Sequence, residues 1–398
     1  MRAGLIFLGF GYVLSQFYRS FLAVLTPNLQ TDLGATPEQL SAALGLWFLS
    51  FSAMQIPIGW ALDRIGPRVT SSVLLLLGGA GGALVFALAA TPVHIMVAMF
   101  LIGIGCAPVL MASYFIFARA FPAHMFATLG ALMIGLGSFG NLAGAVPLNM
   151  LVEVVGWRSA LLGLSGVSVI VAVGLWFVVE NPPRVVAPET GALQDFLQLK
   201  DLLKVRLLWP MFPLMLVSYA PAAGFRGLWI APYLSEVYQA DSATIGFASS
   251  LMACAMIAGA LLYGPADRIF KTRKWVIIVG NSICAFSCFS LFLVPAAGML
   301  PSMVLFGCVG FFGMSFPMLM AHGRSFAPVR LTGRAVTLFN LLSIGGVGIL
   351  QFVTGRLHAV ISQLDLQSIE TYQLIFLFYA GLLTIGVAFY LLSQDRLD

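Results

Sequence analysis

The sequence predicts an all-α integral membrane protein, with twelve transmembrane helices arranged as two pseudo-symmetric six-helix bundles. Three observations carry that prediction. Of 398 residues, 60% are hydrophobic and 9% charged, with a mean hydropathy of +0.99. A soluble domain carries roughly 25% charged residues, and the apolar total here is roughly what twelve spans of about 20 residues require. The apolar residues also fall in long unbroken runs, whereas barrel strands alternate apolar and polar residues over about ten positions. Finally, charged landmarks recur at nearly one spacing. Asp63-Arg64 returns as Asp267-Arg268 after 204 residues, Arg119 as Arg324 after 205, and Arg19 as Arg226 after 207. Two similar six-helix bundles with a site at their interface follow the repeat logic of secondary transporters. Soluble enzymes, disordered chains and nucleic-acid-binding domains are excluded by the same arithmetic.

Each span follows from hydropathy and its flanks. Span one (4–26) opens after Arg2; no A-x-A cleavage pattern follows and the apolar run continues past Ser20, so it reads as a retained span. Span two (39–62) stops at Asp63-Arg64. Spans three (70–90) and four (93–118) follow, the latter closed by Arg119-Ala-Phe-Pro122. Span five (125–152) contains Gly135-Leu-Gly137-Ser-Phe-Gly140, and span six (158–179) begins after Trp157. The stretch 181–206 reads as a linker: Pro182, Pro183 and Pro188 precede a 195–204 segment with apolar residues at helical spacing, the pattern of an interfacial helix. It divides an N-terminal bundle, 1–180, from a C-terminal one, 207–398. Span seven is 207–235, span eight (242–266) stops at Asp267-Arg268, and span nine is 275–295. Span ten (300–322) stops near Arg324, span eleven (333–357) carries Gly345, Gly346 and Gly348, and span twelve is 372–393. With the N-terminus inside, 16 of the 20 basic residues fall on the inner side, so the positive-inside rule places both termini in the cytoplasm. The net charge of +5 is therefore a topology signal.

Two cations stand inside spans. A guanidinium in hydrocarbon is expensive and marks function by default. Arg19 and Arg226 lie four to five residues past the middles of spans one and seven, roughly 6–8 Å outward of the midplane at 1.5 Å per residue. No Asp or Glu lies mid-span to neutralise them. Two uncompensated cations invite an anion, because the planar guanidinium fork matches carboxylate or phosphate oxygens. The bland alternative is that Glu236, Asp32 or backbone carbonyls neutralise them. Gln16, Gln55, Tyr114, Asn141, Tyr219, Asn281, Asn340, Ser343, Gln351 and Tyr379 are candidate lining groups or interhelical bonds. Tyr18 and Trp229 neighbour the arginines on the same spans.

Other features carry no chemistry. The G-x-G-x-x-G of span five has no preceding strand, so Gly140-x-x-x-Gly144 reads as close helix packing. The four histidines, His94, His124, His322 and His358, are scattered without metal-ligand spacing. The five cysteines lie in apolar runs and suggest no disulfide framework. No G-x-S-x-G, H-E-x-x-H or G-x-x-x-x-G-K-[ST] is present. No enzyme, metal or cofactor is expected.

The stretch Gly59-Trp-Ala-Leu-Asp63-Arg64-Ile-Gly66-Pro-Arg68 resembles the G-x-x-x-D-R-x-G-[RK]-[RK] signature of the major facilitator superfamily. That signature lies in the cytoplasmic loop between spans two and three. The resemblance covers the whole chain and implies alternating access of a central cavity. It makes Gly59, Asp63, Arg64, Gly66, Arg68, Arg119, Asp267, Arg268 and Arg324 candidate gating residues. Asp63 is placed to pair with Arg119 and to face the start of span eleven near Gly333; Asp267 and Arg324 form the matching expected pair. The alternative is that these charges only end helices and set topology. Phe270 stands where Gly66 would in the second copy. Tyr18-Arg19 with Pro27, and Arg226-Gly-Leu-Trp229 with Pro232, resemble spans one and seven of organic-anion members, the glycerol-3-phosphate transporter type and the anion:cation symporters. Arg19 precedes its proline by eight residues and Arg226 by six, which leaves open whether both grip one ligand. Asn141 after Gly140, and Met99 where drug antiporters carry Arg, depart from the multidrug pattern.

The expectation is thus a monomeric inner-membrane transporter moving a small, anionic solute, bound through Arg19, Arg226, Tyr18, Trp229, Gln16, Tyr114, Asn141 and Asn340. Energy coupling is expected as exchange, uniport or substrate-coupled proton entry. Drug or metabolite efflux, and a non-transporting sensor or assembly factor on the same scaffold, are the alternatives.

Overall fold

A computed structural model describes residues 2–121, 126–182, 202–296, 298–327, 332–363 and 368–397. Among them all regular structure is helical. The expected interfacial helix falls largely on 195–201, outside the described residues. So do Arg184, Lys200, Arg330, His124, Pro122 and Pro328. The chain divides into two units, Met1–Asp195 and Phe196–Asp398.

Among the described residues ten helices are long and apolar enough to cross a membrane, and one bent pair, Gly4–Phe17 with Leu22–Leu33, makes eleven if it is one span. The expected fifth span is divided between Phe126–Ala143 and the start of the 33-residue Val146–Val178. Within the latter, Gly156 has φ +78°, a left-handed turn that breaks the helix just before Trp157 and separates the end of span five from span six. Large apolar side chains stand exposed on both units: Leu77, Phe139, Ile170 and Phe177 in one, Leu261, Phe286 and Leu300 in the other are each at least 59% exposed. A water-facing surface does not carry so many; lipid does.

Inside unit one, spans one and five meet closely. A Cβ on Gly140 would overlap the Val13 carbonyl, so only glycine permits this approach. Inside unit two the equivalent contact recurs: a Cβ on Gly346 of span eleven would overlap the Leu216 carbonyl of span seven. The repeat therefore extends from charged landmarks to helix packing.

Two departures from regular helix matter. Span one breaks at residues 18–21, where its two helices bend by 51°. Span seven, Arg206–Tyr238, is irregular at 218–219, just before Pro221, and holds a π-helical stretch at Phe225–Trp229. Pro221 has no N–H for the Val217 carbonyl, which is cause enough for the first irregularity. Arg19 and Arg226 sit on these two irregular stretches.

Candidate functional site

In unit one the break delivers Arg19 onto an aromatic shelf of span two. Its Cζ lies 5.1 Å from the Trp47 ring centre, 5.3 Å from Phe51 and 6.0 Å from Phe48. Among the described residues no carboxylate pairs with it, and its Nε is buried without a hydrogen-bond partner. Asp32, one neutraliser weighed for it, is engaged elsewhere: it accepts Trp157 Nε1 at 2.8 Å and lies 3.6 Å from Arg158 NH1. Placing Arg in a helix centre costs about 2.5–3.5 kcal/mol on insertion scales. Ring contacts return about 0.5–2 kcal/mol each, so the shelf offsets much of the charge cost. Rings satisfy the charge without saturating the guanidinium donors, which stay available to planar oxyanions.

The other unit-one candidates divide. Tyr18 turns away from Arg19: its ring is fully buried and its hydroxyl lies 3.0 Å from Ser168 Oγ and 3.3 Å from the Leu164 carbonyl of span six. Gln16 is buried and donates to Tyr12 Oη at 2.6 Å. Tyr114 lies against Gly130, 3.3 Å from where a Cβ would stand, and Asn141 is half-buried on span five.

In unit two Arg226 is 4% exposed. Three residues on, Trp229 is fully buried, donates from Nε1 to Thr354 Oγ1 at 3.2 Å, and stacks on His358 with centroids 5.4 Å apart and planes at 30°. The His358 ring also lies 5.7 Å from Tyr372. Gly224 lets Gln351 and Tyr379 approach span seven, since a Cβ there would overlap the Gln351 amide. Spans seven, eleven and twelve thus gather one buried polar cluster around Gly224 and Trp229 of span seven. Asn340 is half-buried on span eleven. The sequence reading missed His358 in this role; no spacing links it to Trp229. The shelf was also missed, although Trp47 and Phe51 stand four residues apart, on one helix face.

The charged helix ends differ between units. In unit one Arg119 donates to Asp63 at 2.7 Å, with its Cζ 4.1 Å over the Phe115 ring. Gly66, at φ +101°, makes the turn that follows; a Cβ would meet Asn181 at 2.6 Å, and Asn181 Oδ1 accepts the Arg68 N–H at 3.1 Å. Arg64 and Arg68 lie over Trp60 and Trp176 at 5.7 and 5.5 Å, and Gly59 has open space beside it. In unit two the expected Asp267–Arg324 pair is not formed. Asp267 accepts Arg273 Nε at 2.9 Å instead, while Arg324 and Arg268 are exposed. Without a glycine at 270 the helix runs on to Phe270, and Lys271 at φ 54° turns the chain so that Arg273 folds back over six residues. That local closure outcompetes a partner 57 residues away.

Unit two has a further cluster that the sequence did not announce. The Asp395 carboxylate accepts the Thr272 hydroxyl and the Arg273 and Lys274 N–H groups (3.2 and 3.0 Å) at the start of span nine. Lys274 Nζ reaches the Leu391 and Ser393 carbonyls at 2.7 Å each. The Arg396 N–H donates to His322 Nε2 at 3.3 Å, and His322 Nδ1 lies 2.6 Å from Tyr390 Oη. Burial pushes the Asp395 carboxyl up, but the Thr272 hydroxyl and the Lys274 and Arg273 amides outweigh it and hold the carboxyl below its ordinary value.

The Major Facilitator Superfamily model matches residues 8–230 and 216–397. The chain belongs to the major facilitator superfamily. Within it, the chain is similar to the D-galactonate transporter of Escherichia coli O6:H1, 25% identical over 367 residues, 83% of this chain and 82% of that protein. It is also similar to the probable sulfoacetate transporter SauU of Cupriavidus necator, 29% identical over 161 residues, 39% of this chain and 36% of that one. In fold it resembles a bacterial homologue of the human lysosomal transporter Spinster, TM-score 0.75 and 17% identity over 98% of this chain and 96% of that one. This superfamily member is a multi-pass membrane transporter of a small molecule, and not an enzyme.

Proposed function

We propose that this transporter moves a small organic anion by alternating access. The observation that carries the reading is Arg19: a cation inside a membrane span, held by three aromatic rings, with a buried unpartnered Nε and, among the described residues, no carboxylate partner. Rings meet much of its charge cost and leave the fork to a ligand. The galactonate and sulfoacetate named for two relatives are both small anions with planar or tripodal oxygens, which supports the same class here. Arg226 is the matching cation of the second bundle. Asp63–Arg119 acts as a latch at the end of the first. The chain works as a monomer in the inner membrane with both termini cytoplasmic, the orientation supported by the placement of its basic residues.

The test is a thermal-shift screen of purified protein against D-galactonate, sulfoacetate, neutral sugars and lipophilic cations, since a ligand of the folded state alone raises stability. An anion is expected to stabilise the wild type. Arg19→Gln should abolish the shift, and Arg19→Lys, which keeps charge but loses the fork, should weaken apparent affinity about tenfold. Stabilisation by lipophilic cations alone, or by anions equally in Arg19→Gln, sinks the reading and makes the arginine structural.

A further inference from the structure

Two buried donors of unit one lack an acceptor, and they meet at one place. Among the described residues of that unit, five buried side-chain polar atoms have no hydrogen-bond partner. Three of them, Arg68 Nε, Thr70 Oγ1 and Ser71 Oγ, follow the Gly66 turn at the start of span three. The other two are Arg19 Nε and Trp47 Nε1. Trp47 is fully buried, and the Arg19 Cζ lies 5.1 Å from its ring centre. Nε1 belongs to that ring, so both orphaned donors border one small volume. A buried donor without an acceptor is expensive, and two at one spot call for an acceptor they share. We propose that the Trp47 Nε1–H donates to the bound anion, to the same headgroup that Arg19 grips, a reading that rests on the anion assignment above.

All three rings of the shelf can face the guanidinium charge, but only Trp47 brings a donor. Phe51 stacks on it, with ring centres 5.1 Å apart and planes at 16°, and Phe48 meets it edge-on at 5.0 Å. The Nε–H and the neighbouring terminal N–H of a guanidinium run parallel, so an oxyanion at Nε is held by two bonds side by side. Such a headgroup still has lone pairs to spare, since a carboxylate offers about four acceptor sites. The indole N–H fills one of them without adding charge to the span. The ligand class is thus a carboxylate or sulfonate, held by two cationic donors and one neutral one. The ring is set in place by its own backbone. Ser50 Oγ donates to the Trp47 carbonyl at 3.1 Å, and a Cβ on Gly103 of span four would overlap that carbonyl. Spans two and four are locked together there, so the donor is positioned before an anion arrives and little ordering remains to be done on binding.

The experiment titrates D-galactonate and sulfoacetate into purified wild type, Arg19→Gln and Trp47→Phe, and reads the dissociation constants calorimetrically. Trp47→Phe keeps an aromatic face for Arg19 and removes the donor. Its affinity for the anion that binds wild type is expected to fall about tenfold, the scale of one hydrogen bond to a charged group. A fall of less than about threefold overturns the proposal while the anion reading stands. A wild type that binds neither anion, or an Arg19→Gln that binds as tightly as wild type, instead removes the anion reading and this proposal with it. A second variant separates the donor from the shape of the ring: a benzothiophene side chain incorporated at 47 keeps both rings and replaces N–H by sulfur. It is held to the same outcomes, and it stands in for Trp47→Phe should that variant fail to fold. The last readout is the indole N–H resonance of Trp47 in nitrogen-labelled wild type, identified by its absence from whichever variant folds. It is expected to move downfield as the anion is added. A resonance that stays in place while the anion binds refutes the assignment.

Discussion

At the residue scale, the same charge chemistry serves different ends in the two units. The Asp63–Arg119 pair leaves its side chains 45% and 22% exposed, whereas Asp267 and Arg273 keep only 14% and 10%. A half-exposed pair contributes about 0–1 kcal/mol. Breaking a largely buried one strands a charge and costs about 3 kcal/mol. Asp267→Asn is therefore expected to lower thermal stability clearly more than Asp63→Asn, while Asp63→Asn slows transport more than it destabilises. Arg324→Gln, at an exposed side chain without a partner among the described residues, should change stability by under about 0.5 kcal/mol. Melting curves and counterflow rates of the three variants check this. A strong stability loss in Arg324→Gln, matched by a small one in Asp267→Asn, would restore the symmetrical pairing that the repeat suggests.

At the element scale, most apolar stretches and both arginines were legible in the sequence, because hydropathy runs and isolated charges are one-dimensional signals. The break at 18–21 and the π stretch at 225–229 were not. A span reads as equally apolar whether its hydrogen bonds run to i−4 or i−5. Gly156 was legible only as a glycine before Trp157, with no hint of its φ of +78°. The role of Gly140 in close packing was legible from Gly140-x-x-x-Gly144, yet the partner, Val13 on span one, was not. The outcome of that contact is testable. Gly140→Val sets a side chain into a backbone carbonyl that has no rotamer to escape into, and overpacking of this kind costs about 1–3 kcal/mol or more. Gly135, five residues earlier on the same span, has nothing within 4 Å of its missing Cβ, so Gly135→Ala should be near neutral. Equal yields of folded protein from the two variants, measured by size-exclusion in detergent, would argue against the span-one contact.

At the scale of the whole molecule, the repeat sets the plan of each unit and then departs from it at the charged ends. Unit one closes its end with a side-chain pair and a glycine turn. Unit two uses residues 391–396, folded back on the start of span nine and on His322 at the end of span ten. Asp395 is the centre of that closure, and its titration gives it a signature. Its folded-state carboxyl is held below its ordinary value because three donors favour the ionised form. A depressed carboxyl contributes stability that is fully present above its unfolded value, about 3.9, and is lost as pH falls through the folded value. Asp395→Asn removes the charge at every pH. At pH 7 it is therefore expected to melt lower than wild type by about 1–2 °C, and the gap should narrow as the pH falls below about 4, where wild-type Asp395 also becomes neutral. Melting curves of both proteins from pH 7 to pH 3 measure the gap directly. A gap that stays constant would mean that Asp395 acts through shape and not charge. One that widens on acidification would reverse the sign of the linkage and remove the carboxylate from its place as the fastening of the second unit.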